Sequence, residues 1–237
     1  MQPRSDRLIV ALDVSTAQEA RTIVSAVGAS AGFFKVGKQL FTAHGPDLVR
    51  ELVATGHKIF LDLKFHDIPN TAASAVREAG RLRVSMLTVH ASGGSAMLRA
   101  AAEAAAQSEG KPLVLAVTVL TSMSESDLHE VGVSGSVNDQ VVRLARLAIR
   151  QGCGGIVASA REARDLRREL GSGFTIVTPG VRPAGTEKGD QARVVTPREA
   201  IEAGANHIVV GRPITAAPDP GKAAREIQKE MELVSGV

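Results

Sequence analysis

Asp62 and Lys64 stand two residues apart at the end of the apolar run Ile59-Phe60-Leu61. In an extended strand, residues two apart face the same way, so this carboxylate and this ammonium share one face. Asp67 follows just past the run, where a turn brings it either back to the pair or into a neighbouring molecule. Lys35 nearly ends a second apolar run, and Asp13 ends the first. An ammonium flanked by carboxylates is held charged and in place. It is suited to offset negative charge developing on a substrate and to deliver a proton. The plainer reading of Asp62 and Lys64 alone is a structural ion pair. Lys35 and Asp13 arriving from adjacent strands weigh against it, because four charges gathered at one mouth carry a desolvation cost that a structural role does not favour.

A second constellation is suited to phosphate. One apolar run leads into Pro179-Gly180-Val181-Arg182-Pro183, and the last leads into Gly211-Arg212-Pro213. A guanidinium such as that of Arg212 grips phosphate through a bidentate fork, and Gly211 lets backbone N–H groups approach the oxygens. The polar, glycine-hinged stretch 184–191 has the composition of a lid. Either piece alone also fits a turn beside a surface arginine; the two together favour the anion site. His66, His90 and Asp67 show no standard metal-ligand spacing, so no metal is expected. His90 reads as a hydrogen-bonded structural histidine, and Cys153, just before an apolar run, reads as buried and inert. No serine lies in a Gly-x-Ser-x-Gly elbow.

The elements that must position these groups are short apolar runs between amphipathic stretches. Strands are expected at 8–13, 33–37, 59–64, 86–90, 113–118, 155–158, 174–178 and 207–211. Most are continuous Val/Ile/Leu runs, as parallel strands covered on both faces require. Helix starts are marked by Thr16 with Glu19, Ser159 with Glu162, and Thr196 with Glu199, each a capping box. Gly56, Gly80, Gly110, Gly152 and Gly204 are placed to end the helix before a strand. Strand, cap, helix and glycine repeat about eight times, so one (β/α)8 barrel over 1–237 is expected. A doubly wound open sheet competes, but no Gly-x-Gly-x-x-Gly follows the first strand, which ends in Asp13-Val14-Ser15. The longest irregular-looking stretches, 121–137 and 182–193, both follow strands, on the face where a barrel carries its active site.

Composition narrows the function classes. The 237 residues carry a net charge of only +3, with no Trp or Tyr for base stacking, which argues against nucleic-acid binding. One cysteine allows no intramolecular disulfide and suits a reducing cytoplasm. The N-terminal residues lack the form of a signal peptide, and no apolar run is long enough to span a bilayer.

The run Asp62-Leu63-Lys64-Phe65-His66-Asp67-Ile68-Pro69-Asn70-Thr71 resembles the signature of the orotidine 5′-phosphate decarboxylase family. The likeness extends over nearly the whole chain, through Ala11-Leu12-Asp13, Phe34-Lys35-Val36-Gly37, Val89-His90-Ala91-Ser92-Gly93-Gly94, Val119-Leu120-Thr121-Ser122, Thr178-Pro179-Gly180-Val181-Arg182-Pro183, Gly189-Asp190-Gln191 and Gly211-Arg212-Pro213. The resemblance implies a cofactor-free decarboxylation of orotidine 5′-phosphate to UMP, the last step of de novo pyrimidine synthesis. It implies that Lys64 is the proton donor within an array of Lys35, Asp62, Lys64 and Asp67. Asp13 and Lys35 are then expected at the ribose, Thr121 and Ser122 at the pyrimidine, and Gln191 between base and phosphate. Pro179, Arg182, Gly211 and Arg212 are expected around the phosphate end. It also implies a homodimer in which Asp67, Ile68 and Thr71 reach the partner's site. Sister barrels that act on keto-sugar phosphates hold Mg2+ partly through an acid on the second strand, where this chain has Lys35. A nucleotide-phosphate-binding barrel without catalysis is the other alternative; it accounts for Arg212 and the lid but not for Asp62, Lys64 and Asp67.

Overall fold

Leu8, Ile9, Val10 and Ala11 are buried without alternation, as a strand covered on both faces requires. The computed structural model describes residues 6–183 and 195–232. In chain order it contains β1 (Leu8–Ala11), α1 (Ala17–Val27), β2 (Phe33–Gly37), α2 (Lys38–Ala54), β3 (Lys58–Phe65), α3 (Pro69–Arg81) and β4 (Met86–His90). There follow α4 (Gly94–Gln107), β5 (Leu113–Val117), α5 (Glu125–Glu130), α6 (Val137–Arg150), β6 (Gly155–Val157) and α7 (Ala160–Leu170). The chain continues with β7 (Thr175–Thr178), α8 (Pro197–Glu202), β8 (His207–Val210), α9 (Arg212–Thr215) and α10 (Pro220–Glu232). All eight strands are parallel and pair in sequence order, and β8 returns to β1 to close the barrel. The expected (β/α)8 architecture is therefore the one observed, and the open sheet is not.

The strand pleat divides the apolar side chains into two sets. Ile9, Phe33, Phe60, Met86, Leu115, Val177 and Val209 fill the barrel interior. The alternate residues, such as Leu8, Val10, Phe34, Val36, Ile59 and Leu61, join the larger layer under the helices. One inward position further along, β2, β3 and β4 carry Lys35, Asp62 and Thr88. The apolar plug thus gives way to polar groups at the carboxyl ends of these strands.

The expected capping boxes at Thr16–Glu19, Ser159–Glu162 and Thr196–Glu199 all form, with Pro197 at the start of α8. Two local expectations are corrected. Gly80 does not end a helix: it lies inside α3, and Arg83 takes the left-handed backbone at φ 56°. A Cβ on Gly80 would fall 2.3 Å from the Ser108 hydroxyl oxygen, so the residue serves close packing of α3 against the turn after α4. The stretch 121–137 is not wholly irregular, since Ser124 caps the short α5 with Asp127 answering it. Several strands also stop one or two residues early; β1 ends at Ala11, leaving Asp13 on the following loop. Among the described residues, no helix is long and apolar enough to cross a membrane.

Candidate active site at the carboxyl end of the barrel

Asp62 organises the floor of the site. The Lys64 Nζ donates to both of its carboxylate oxygens, at 2.8 and 2.9 Å. Lys35 lies 4.0 Å from Asp62 Oδ2 and donates to Asp13 Oδ1 at 2.7 Å. The four charges therefore alternate as Asp13, Lys35, Asp62 and Lys64. The inner groups are largely screened from water and Asp13 is mostly exposed. The loop that carries Asp13 is tied to α2, where Gln39 donates to the Ser15 hydroxyl at 3.0 Å and His44 accepts from the Ala17 N–H at 3.0 Å.

Strand alternation correctly predicts a shared face for Asp62 and Lys64, but the backbone reaches that outcome irregularly. Lys64 has φ 53°, in the left-handed region. The β3–β4 register shifts between Leu61 and Phe65 at the same place. Thr88 of β4 fills the gap: its hydroxyl accepts from the Lys64 N–H at 2.8 Å and donates to Asp62 Oδ1 at 3.0 Å. Sequence reasoning missed Thr88. The only signal was a hydroxyl residue within the apolar run Met86-Leu87-Thr88-Val89.

Two adjoining cavities open from these charges. One is lined by Lys35, Asp62 and Lys64 on one side and by Val117, Val119, Leu120, Thr121, Val157, Val177 and Val209 on the other. The second is polar, about 470 Å3, and bounded by Asp13, Lys35, Gly180, Arg182, Gly211 and Arg212. Lys35, Asp62, Pro179 and Val209 line both. One elongated ligand with an apolar-faced ring and an anionic end therefore matches the pair of cavities.

Most of the expected site residues meet here, and some do not. Thr121 lines the first cavity, whereas Ser122 is exposed and lines neither. Asp67 accepts from the Ile68 N–H at 2.7 Å. It forms no ion pair with Lys64 within the chain, and Asp67, Ile68 and Thr71 are all exposed. Gln191 and the stretch 184–191 lie outside the described residues. His90, next to the floor, is half-buried, with its ring 5.4 Å from that of His66. Burial, then His66, Lys38 and Lys64, hold its pKa below the ordinary histidine value. Cys153 is buried, and burial pushes its thiol up to about 12, so it is inert as expected. Among the described residues, no group of three or more His, Cys, Asp or Glu side chains is arranged to hold a metal ion.

A closed parallel barrel with an alternating ion-pair floor and arginines at the ends of β7 and β8 defines a (β/α)8 protein with a polar ligand site at its carboxyl face. Residues 6–227 match the model of the orotidine 5′-phosphate decarboxylase / HUMPS family, and the chain belongs to that family. A protein of Idiomarina loihiensis named orotidine 5′-phosphate decarboxylase is 52% identical over 221 residues, covering 93% of this chain and 96% of that one. One of the same name from Moorella thermoacetica is 53% identical over 235 residues, 97% of this chain and 93% of the other. The crystal structure of orotidine 5′-phosphate decarboxylase from Lactobacillus acidophilus superposes with a TM-score of 0.85 at 39% identity, covering 95% of this chain and 99% of that one.

Proposed function

We propose that the chain converts orotidine 5′-phosphate to UMP and CO2 without a metal or organic cofactor. The observation that carries this reading is the Lys64–Asp62 pair facing an apolar cavity that adjoins the arginine-lined one. When the C6–carboxylate bond breaks, its electron pair stays on C6 in the plane of the pyrimidine and cannot spread into the ring. Stabilisation on the order of 20 kcal/mol is needed, near the upper part of the usual enzymatic range. A preorganised ammonium in a water-poor site supplies part of it. Lys64 then passes a proton from Nζ to C6, replacing the departing CO2, and regains one from solvent.

The remaining residues take remote parts of the substrate. Asp13 and Lys35 suit the ribose hydroxyls, and Thr121 suits the edge of the base, beside Ser122, which lines neither cavity and is assigned to the base by the family resemblance. Arg182, Gly211 and Arg212, with Pro179 in the wall, suit the phosphate end, and Gln191, outside the described residues, is assigned between base and phosphate by the family resemblance. Binding energy gained there is available to order the groups around C6. Asp67, Ile68 and Thr71, exposed in one chain, suit a homodimer in which they complete the partner's site. The single buried cysteine fits a cytoplasmic location.

The test is the ultraviolet absorbance of orotidine 5′-phosphate with purified protein, with and without EDTA, beside Lys64→Ala. Conversion to UMP that ignores EDTA and disappears in the variant supports the whole reading. Loss in EDTA points instead to the Mg-dependent keto-sugar-phosphate members of the superfamily. Binding of UMP with no turnover points to a non-catalytic phosphate-binding barrel.

A further inference from the structure

We infer that Thr88 is a positioning residue for Lys64, an inference that rests on the catalytic reading of Lys64 above. Its hydroxyl closes a ring of hydrogen bonds. The Lys64 N–H donates to Thr88 Oγ1 at 2.8 Å, Thr88 donates to Asp62 Oδ1 at 3.0 Å, and Lys64 Nζ donates to that same oxygen at 2.8 Å. The direction of each bond is forced. A backbone N–H only donates, so the hydroxyl must accept there and spend its one proton on the carboxylate.

The ring is needed because regular pairing fails at this point. Between Leu61 and Phe65 the β3–β4 register shifts, and Lys64 turns left-handed at φ 53°. The hydroxyl takes the place of a ladder partner for the Lys64 N–H. Thr88 is completely buried, and a β-branched side chain on a strand has few χ1 choices, so its oxygen has one direction. The same hydroxyl thereby sets both ends of the proposed proton donor: the backbone that carries Lys64 and the carboxylate that holds its tip. Valine matches threonine in shape but makes neither bond. Serine makes both.

The experiment compares the wild type with Thr88→Val, Thr88→Ala and Thr88→Ser, measuring kcat and KM on orotidine 5′-phosphate, the Kd of UMP, and hydrogen exchange at the Lys64 amide. The proposal expects Thr88→Val to lower kcat about 10²-fold, the scale of a misplaced reacting group, with KM and the UMP Kd changed less than about threefold. It expects Thr88→Ser to recover most of the rate, and amide exchange at Lys64 to quicken in Val and Ala but not in Ser. Should Thr88→Val fail to fold, Thr88→Ala and Thr88→Ser give the same comparison. A kcat within about threefold of wild type in Val or Ala, or a loss that Ser does not recover, overturns the proposal. An inactive wild type with a protected Lys64 amide instead refutes the catalytic reading beneath it, so the two failures are distinct.

Discussion

Lys64 spans the Asp62 carboxylate, with its ammonium within 2.9 Å of both oxygens. Asp62 also faces Lys35 at 4.0 Å, so one carboxylate separates two cations. Asp62→Asn keeps the shape and removes the charge. The two ammonium groups then repel across a neutral amide, and Lys64 loses its anchor. We expect kcat to fall by about 10²-fold or more. Because the pair is partly screened rather than dry, stability should fall by only about 1–3 kcal/mol. Steady-state kinetics beside a urea melt checks both, and a kcat near wild type would remove Asp62 from the machinery.

Arg212 lines the polar cavity with Arg182. Arg212→Ala removes the charge-assisted contact proposed for the phosphate, so kcat/KM on orotidine 5′-phosphate should drop about 10²- to 10³-fold. Orotidine, which lacks the phosphate, provides the control. Wild type and variant should process it equally slowly if the arginine acts on the phosphate alone.

Ile68 is 67% exposed in the single chain, beside the exposed Asp67 and Thr71. Sedimentation should show a dimer for the wild type, and Ile68→Asp should shift it towards monomer with loss of activity per chain. A fully active monomer would exclude a shared site.

His207 is buried, and its Nδ1 donates to the Asp6 carbonyl at 2.8 Å. Burial, chiefly, holds its pKa below the ordinary 6.5, with the charges of Arg7 and Lys58 acting the same way and Asp6 opposing. As pH falls below about 6.5, the unfolded chain takes up a proton that the native chain refuses, so stability rises with pH through this window and is lost on acidification. Thermal melts should show a flat Tm above about pH 7 and a decline below about 6.5, shallower in His207→Gln. An unchanged slope would assign the acid sensitivity to His57 or His90, which burial also holds below the usual value.

Sequence reasoning reached the groups that depend on one strand or one turn at a time. Asp62 and Lys64 were legible from a spacing of two, and the capping boxes from a spacing of three, because each is a local geometric rule. Thr88 was not, because its role arises only when the β3–β4 register shifts beside Lys64. No periodicity within one strand reports a pairing between two. Asp13 was read as ending its strand, but β1 stops at Ala11 and the loop ties to α2 decide where the carboxylate goes. The short α5 does not follow the hydroxyl-to-Glu pattern of the other caps, because Asp127 answers Ser124. Gly80 has the placement of a helix terminator, whereas contact with Ser108 at the end of α4 sets its size.

The left-handed backbone at Lys64 has a consequence for laboratory evolution. A non-glycine residue in this conformation costs about 1 kcal/mol or more, a cost that glycine does not carry. Backbone ease and the proposed chemistry therefore pull position 64 in opposite directions, glycine being the easier residue for the backbone and lysine the one the proposed reaction needs. If the proposed role of Lys64 holds, a library screened for turnover will keep the left-handed lysine at the barrel mouth, whereas one screened only for folding is free to replace it with glycine.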